Sequence, residues 1–221
     1  MTKSTPNGEQ MPHTSLPAIE ESGGVEALIA RAHADAQGGP ATKERGIPPV
    51  EQWNPEFCGD LDMEIRADGT WFYMGTPIGR PQLVRLFSTV LRKDEDGKTY
   101  LVTPVEKIGI RVEDAHFIAV EMQISGTGES QVLTFRTNVG DVVEAGRDHP
   151  LRFVVEEESG GLKPYILVRG RLEALLTRSV TYELVALGEE VEVEGVTMFA
   201  IRSGGETFPV MRADELEKSI R

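Results

Sequence analysis

A two-residue alternation of apolar and polar positions dominates the chain from about residue 98 onward. Ile118, Val120, Met122 and Ile124 alternate with polar residues, Ser125-Gly126-Thr127-Gly128 turns, and Val132 to Thr137 returns. The same period predicts strands at Tyr100–Thr103 and Lys107–Val112. In the second of these, Ile108, Ile110 and Val112 share one face and leave Lys107 and Arg111 on the other. Further strands are predicted at 151–156, 164–169, about 190–194 and 197–202, followed by a Ser203-Gly204-Gly205 turn and a short polar tail. Upstream, Asp62–Ile65 and Trp71–Met74 flank Ala67-Asp68-Gly69-Thr70, and Asp-Gly between two such runs signals a hairpin.

Three stretches carry a helical period instead. Pro81 suits a first helical position, and Leu83, Val84, Phe87, Val90 and Leu91 trace one face up to Asp94-Glu95-Asp96-Gly97. Arg85 and Arg92 fall on the opposite, solvated face. Leu172, Leu176, Val180, Leu184 and Leu187 predict a second helix. Val25, Leu28, Ile29, Ala32 and Ala36 predict a short one near 24–37, stopped by Gly38-Gly39-Pro40. Strands dominate and helices interrupt them without a repeating βα rhythm. The expected class is therefore α+β with mostly antiparallel sheets. A faint internal echo runs through it: Tyr100-Leu101-Val102 leads to Glu106, and Tyr165-Ile166-Leu167-Val168 leads to Glu173.

Composition divides the chain. Residues 1–52 hold six of the 13 prolines, and no aromatic residue precedes Trp53. Such a segment buries too little apolar surface to offset its ordering entropy. Residues 1–50 thus read as a mobile tail whose helix can pack on its own chain or on a partner protein. The folded body divides into halves at 51–115 and 116–211, with a polar tail at 212–221.

The 221 residues carry a net charge of −13. That surplus works against a general nucleic-acid coat and against anionic membrane surfaces. It is uneven: residues 1–79 carry −7 and 179–221 carry −5, but 80–178 carry only −1, and ten of the 16 arginines lie there. No apolar run approaches the roughly 18 residues of a membrane span, and the first twenty residues hold no signal-like apolar core. The lone Cys58 cannot close a disulfide within the chain, and no CxxC or Cys/His metal spacing occurs. The cytoplasm is the expected compartment.

Sharp catalytic motifs are absent: there is no Walker A, GxSxG, HExxH or EF-hand loop. Neither a metal nor a cofactor is called for. Acids at 60, 62 and 64 alternate as a solvated strand face does. His149, in Gly146-Arg147-Asp148-His149-Pro150, is held extended by the following proline. It can fix a loop by a hydrogen bond, or pair with Asp141 as a site residue. The arginines are the better clue, since the guanidinium fork suits carboxylate and phosphate. Glu106, Asp114, Asp141 and Glu173 could absorb most of them in salt bridges; the alternative is an anion pocket where two subdomains meet.

Several motifs together resemble the bacterial DUF1285 family, a domain of unknown function, over about residues 51–211. They are Trp53-Asn54-Pro55-Glu56-Phe57-Cys58-Gly59-Asp60, Asp68-Gly69-Thr70-Trp71-Phe72-Tyr73, Pro77-Ile78-Gly79-Arg80 and Thr103-Pro104-Val105-Glu106-Lys107. Phe135-Arg136-Thr137-Asn138-Val139-Gly140-Asp141, His149-Pro150, Tyr165-Ile166-Leu167-Val168-Arg169 and Leu172-Glu173-Ala174-Leu175-Leu176-Thr177-Arg178 follow. The resemblance implies a duplicated core of two related halves, the C-terminal one similar to a pleckstrin-homology domain. It also implies a site between the halves for a nucleotide-like ligand, and a role in signalling. The matched positions are Arg80, Thr103, Glu106, Arg136, Asn138, Asp141, His149, Arg169, Glu173 and Arg178.

The leading expectation is a non-catalytic module that binds a small anionic, nucleotide-like ligand between its halves. Arg80, Arg136, Arg169 and Arg178 would grip phosphate or carboxylate, Asn138 and Thr103 would add neutral hydrogen bonds, and Tyr165 or Tyr182 would stack on a base. The rivals are a protein-interaction adaptor that uses residues 1–50, and a hydrolase built on His149.

Overall fold

A computed structural model describes residues 47–156 and 159–215. The helix expected near 24–37 lies outside the described residues, as does most of the tail.

The first half opens with a 3-10 turn at Val50–Gln52, followed by β1 (Phe57–Ile65), β2 (Trp71–Tyr73) and β3 (Thr76–Pro77). Helix α1 (Pro81–Thr89) crosses over, and β4 (Leu91–Lys93), β5 (Thr99–Val102) and β6 (Lys107–Val112) complete the half. These strands form one sheet in the order β3-β2-β1-β6-β5-β4. The second half repeats the path with β7 (Phe117–Ser125), β8 (Val132–Thr137), β9 (Val142–Glu144), β10 (Leu151–Val155), β11 (Leu162–Arg169) and β12 (Leu172–Leu176). Its order, read from the opposite edge, is β9-β8-β7-β12-β11-β10.

The match extends to strand direction. In each sheet two antiparallel three-strand meanders meet through a parallel pair of first and last strands, β1 with β6 and β7 with β12. The sheets are thus mainly antiparallel, but not wholly so. The echo in the sequence falls on equivalent strands, with Tyr100 on β5 and Tyr165 on β11. Each tyrosine faces an arginine on the neighbouring edge strand, Arg92 and Arg152. Helix α2 (Arg178–Val185) follows the second sheet and packs on β7 and β11. A third sheet, β13 (Glu189–Val193), β14 (Val196–Ser203) and β15 (Glu206–Arg212), closes the described chain. Ser203 pins it: its Oγ donates to the Ala145 carbonyl at 2.7 Å and accepts from the Leu133 amide at 2.8 Å.

One apolar core runs through both halves. Met63, Ile65, Trp71, Phe87, Leu91 and Leu101 join Phe117, Leu133, Phe135, Ile166, Leu172 and Leu184, all under 3% exposed. Trp71 stacks on Phe87 with ring centroids 6.2 Å apart, which seats α1 on the first sheet. Burying side chains of this size contributes roughly 1.5–3 kcal/mol each before entropy is counted.

Three sequence expectations need correction. The helix predicted through Leu91 stops at Thr89. The Val90 carbonyl accepts from the Val102 amide at 2.8 Å, and Leu91–Lys93 joins the sheet, so Asp94–Gly97 turns a hairpin. The helix predicted from Leu172 is a strand up to Leu176, with Leu172, Ala174 and Leu176 buried at period two. Leucines four apart fit both periods, and pairing with β7 and β11 decides between them. Finally, the stretch after Ser203-Gly204-Gly205, for which no element is predicted, forms β15 as far as Arg212. Its Pro209 lies on the edge strand where an irregular register with β14 tolerates a missing donor.

Candidate functional site

The two halves meet along a polar seam, and several side chains named from the sequence are spent in building it. Arg169, at the end of β11, donates Nη1 to Asp141 Oδ2 at 2.5 Å and Nη2 to the Ser88 carbonyl in α1 at 2.7 Å. Its guanidinium also lies 4.8 Å from the Phe117 ring centroid. The Asn138 side chain accepts from the Ile118 amide at 3.0 Å, and the Asn138 backbone amide donates to the Ile118 carbonyl at 2.8 Å. Against this pair rests Gly69, at φ +81°, where an added Cβ would lie 2.5 Å from Ile118 Cγ1. The Asp-Gly hairpin of the first half is therefore a docking element.

His116 is buried in the seam. The Glu173 amide donates to Nδ1 at 3.3 Å, which leaves the proton on Nε2 for Thr99 Oγ1 at 3.1 Å. Burial pushes its pKa down to about 4, helped by Lys93 and opposed by Glu173.

At one end of the seam lies a wide, solvent-open cavity of about 450 Å³. Glu51, Trp53, Asn54, Arg92, Asp94, Glu95 and Asp96 line it from the first half, and Arg171 lines it from the β11–β12 turn of the second. Arg92 holds the wall together. It is only 7% exposed. It donates Nη1 to the carbonyls of Val50 at 2.9 Å and Trp53 at 2.6 Å, and Nε to Asp94 at 2.6 Å. Burial raises the Asp94 pKa, but hydrogen bonds from Arg92 and Lys107 outweigh it and hold the carboxyl below its usual range. Asp96 accepts the Tyr100 hydroxyl at 2.6 Å, and that bond, with burial, drives the phenol up to about 12. Arg171 reaches Glu95 at 2.9 Å, an exposed ion pair between the halves.

The residues named from the sequence do not gather at this cavity. Arg80 precedes α1 on the surface. Thr103 is buried, and its Oγ1 accepts the Glu106 amide at 3.2 Å, closing the β5–β6 turn with half-buried Glu106. Arg136 is the exposed position of β8, its fork across the strand pair on Glu121. It borders a separate surface hollow of about 190 Å³ with Glu121, Gln123 and Val142. Asp141 is held by Arg169. Glu173 takes both oxygens to Arg152, each at 2.8 Å. His149 donates Nδ1–H to the Leu167 carbonyl at 2.9 Å, the loop-fixing role. Arg178 opens α2 and donates to the Tyr182 hydroxyl at 2.9 Å on an exposed face. Tyr165, 6% exposed, gives its hydroxyl to Asp114 at 2.7 Å, beneath the Arg152 guanidinium. The salt bridges expected at Asp114, Asp141 and Glu173 all form, although the cation on Asp114 is Lys163.

Sequence reasoning misses the cavity residues. It puts Arg92 on a solvated helix face, because it carries the helix two residues too far. Arg171 sits in a two-residue turn with no pattern of its own. Trp53-Asn54 is visible as a motif, but nothing in it points to a cavity wall. Acids at 60, 62 and 64 do line a solvated face, with Arg111 on Glu64 at 3.1 Å and near Asp62 at 3.6 Å. Among the described residues no group of three or more His, Cys, Asp or Glu could hold a metal ion, and no helix is long and apolar enough to cross a membrane.

The fold defines a β-rich protein of two like-built six-stranded sheets joined by a polar seam. Family models place it further. "Domain of unknown function (DUF1285), N-terminal domain" matches residues 48–115, and "Protein of unknown function (DUF1285), C-terminal domain" matches 116–210. The chain belongs to the DUF1285 family. A crystal structure of a DUF1285 family protein from Silicibacter pomeroyi DSS-3 is similar at 49% identity and a TM-score of 0.75, covering 86% of this chain and 97% of that one. A DUF1285 family protein from Shewanella baltica OS155 is 26% identical over 56% of this chain and 90% of its own, with a TM-score of 0.44. No curated protein matches.

Proposed function

We propose that this protein is a non-catalytic binding module that receives one small molecule in the cavity between its halves. The observation that carries this reading is the cavity itself, because its lining joins seven residues of the first half to Arg171 of the second. A ligand there touches the β4–β5 hairpin and the β11–β12 turn at once, so occupancy bears on how the halves hold together. That coupling suits the signalling role implied by the family. The pleckstrin-homology likeness of the second half belongs to the same proposal, supported by a β-rich unit that ends in helix α2 against β7 and β11.

A ligand at 100 times its Kd stabilises the fold by about 2.7 kcal/mol. A thermal-shift screen of cationic, neutral and anionic metabolites on the full chain should find such a shift, and Asn54→Ala, a charge-neutral change in the lining, should diminish it. No shift from any class would refute the reading. The sequence suggests an anionic or nucleotide-like ligand. The arginines assigned to it, Arg80, Arg136, Arg169 and Arg178, are not among the residues lining the cavity.

A further inference from the structure

We propose that the seam cavity takes a cationic small molecule, an ammonium or guanidinium group on a flat or aliphatic body. This rests on the seam-binding reading and adds the charge of the ligand. The lining holds four carboxylates, Glu51, Asp94, Glu95 and Asp96, against two guanidiniums, Arg92 and Arg171, a net −2. The Arg92 guanidinium is not open to an anion. Arg92 could turn toward one only by leaving the Val50 and Trp53 carbonyls and Asp94 without their donor. Arg171 is the second cation of the lining, on the exposed rim beside Glu95.

Glu51 differs from the other three acids. Its carboxylate has no hydrogen bond or ion pair among the described residues. It lies against the second half: a Cβ added to Gly170 would fall 2.5 Å from Glu51 Oε1. The seam thus presents an uncommitted carboxylate within a cavity. Beside it, the half-buried Trp53 indole supplies an apolar wall and a π face, and such a face attracts ammonium and guanidinium groups. Asn54 adds an amide that can accept from an N–H. A phosphate placed here would meet a lining of net negative charge, with the Arg92 fork already committed.

Agmatine, putrescine, AMP and pyrophosphate titrated into the full chain by calorimetry test this. Tryptophan emission is read in parallel, since Trp53 lines the cavity and Trp71, the only other tryptophan, is 1% exposed. The expected result is one-site binding of agmatine or putrescine with a change in Trp53 emission, weakened at least tenfold by Glu51→Gln and by added salt. Glu51 is an exposed residue, so this variant should fold as the wild type does. If AMP or pyrophosphate bind with the emission change and the amines do not, the inference is overturned while seam binding stands. If no probe binds, or binding leaves Trp53 emission and Glu51→Gln unaffected, both fail.

Discussion

Acidification should loosen the seam through His116. The imidazole is 4% exposed and neutral, accepting from the Glu173 amide and donating to Thr99 Oγ1. A proton added at Nδ1 removes the acceptor of the Glu173 amide and places a buried charge near Lys93 and Arg169; only Glu173 offsets it. The folded pKa, about 4, lies below the ordinary 6.5. Between those values the unfolded chain binds more protons, so stability falls as pH drops from 6.5 toward 4 and is fully present above 6.5. Each tenfold difference in proton affinity between the folded and unfolded chain is worth about 1.4 kcal/mol. The full loss is therefore about 3 kcal/mol, most of it spent by pH 4.5. Carboxylates titrate in the lower part of this window, so the measurement is a difference. Urea unfolding of the wild type and His116→Asn at pH 7.5, 5.5 and 4.5 should show the wild type losing about 1 kcal/mol more than the variant by pH 5.5. Equal pH slopes in the two proteins would refute the assignment.

Arg92→Met should cost about 3–5 kcal/mol in urea unfolding, because a buried pair loses one partner and two carbonyls lose their donor. Arg92→Lys should recover only part of this, since one ammonium cannot span the three groups that the fork reaches. Gly69→Ala should destabilise by about 2 kcal/mol, combining a left-handed backbone with a Cβ driven into Ile118; hydrogen exchange should rise first at Asn138 and Ile118. Arg136→Ala should leave the melting temperature unchanged within error, as an exposed cross-strand ion pair contributes little, and should not alter seam binding.

Strand content and hairpin positions are legible because alternation and Asp-Gly turns are local signals. The alternation places Lys107–Val112 and Val132–Thr137 at their observed ends. The two helix errors share one cause. Apolar residues four apart, at 87 and 91 or at 172 and 176, satisfy a period of 3.6 and a period of two alike, and only pairing with a distant strand chooses. The site is less legible still. Its expected polar residues come from motifs, and motifs mark Asn138, Asp141 and Arg169 whether they bind a ligand or fasten one half to the other. Here Arg169 bonds across to Ser88 of the first half, while Asn138 and Asp141 bond within the second. The cavity depends instead on the carbonyls of Val50 and Trp53, reached by an arginine some forty residues away. Nothing in a linear pattern encodes that contact.

The cavity arises from a departure between two copies of one unit. Arg92 and Arg152 hold equivalent positions, each on the edge strand opposite a tyrosine. Arg152 keeps the ordinary use of such a place: its side chain is 48% exposed and forks onto Glu173 across two strands. Arg92, whose side chain is 8% exposed, has been drawn beneath the incoming segment at 50–53 and binds its carbonyls. That segment, through Glu51, Trp53 and Asn54, supplies much of the cavity wall. The second copy starts directly from Asp114 and Ala115, with no comparable segment to carry. Asp114 there takes the hydroxyl of Tyr165 and the ammonium of Lys163, which fills the place with an internal ion pair. A single duplicated framework thus yields one closed polar cluster and one open cavity. The difference traces to what the cross-strand arginine holds, so the cavity end of the seam is set by Arg92 rather than by the arginines that the motifs bring forward.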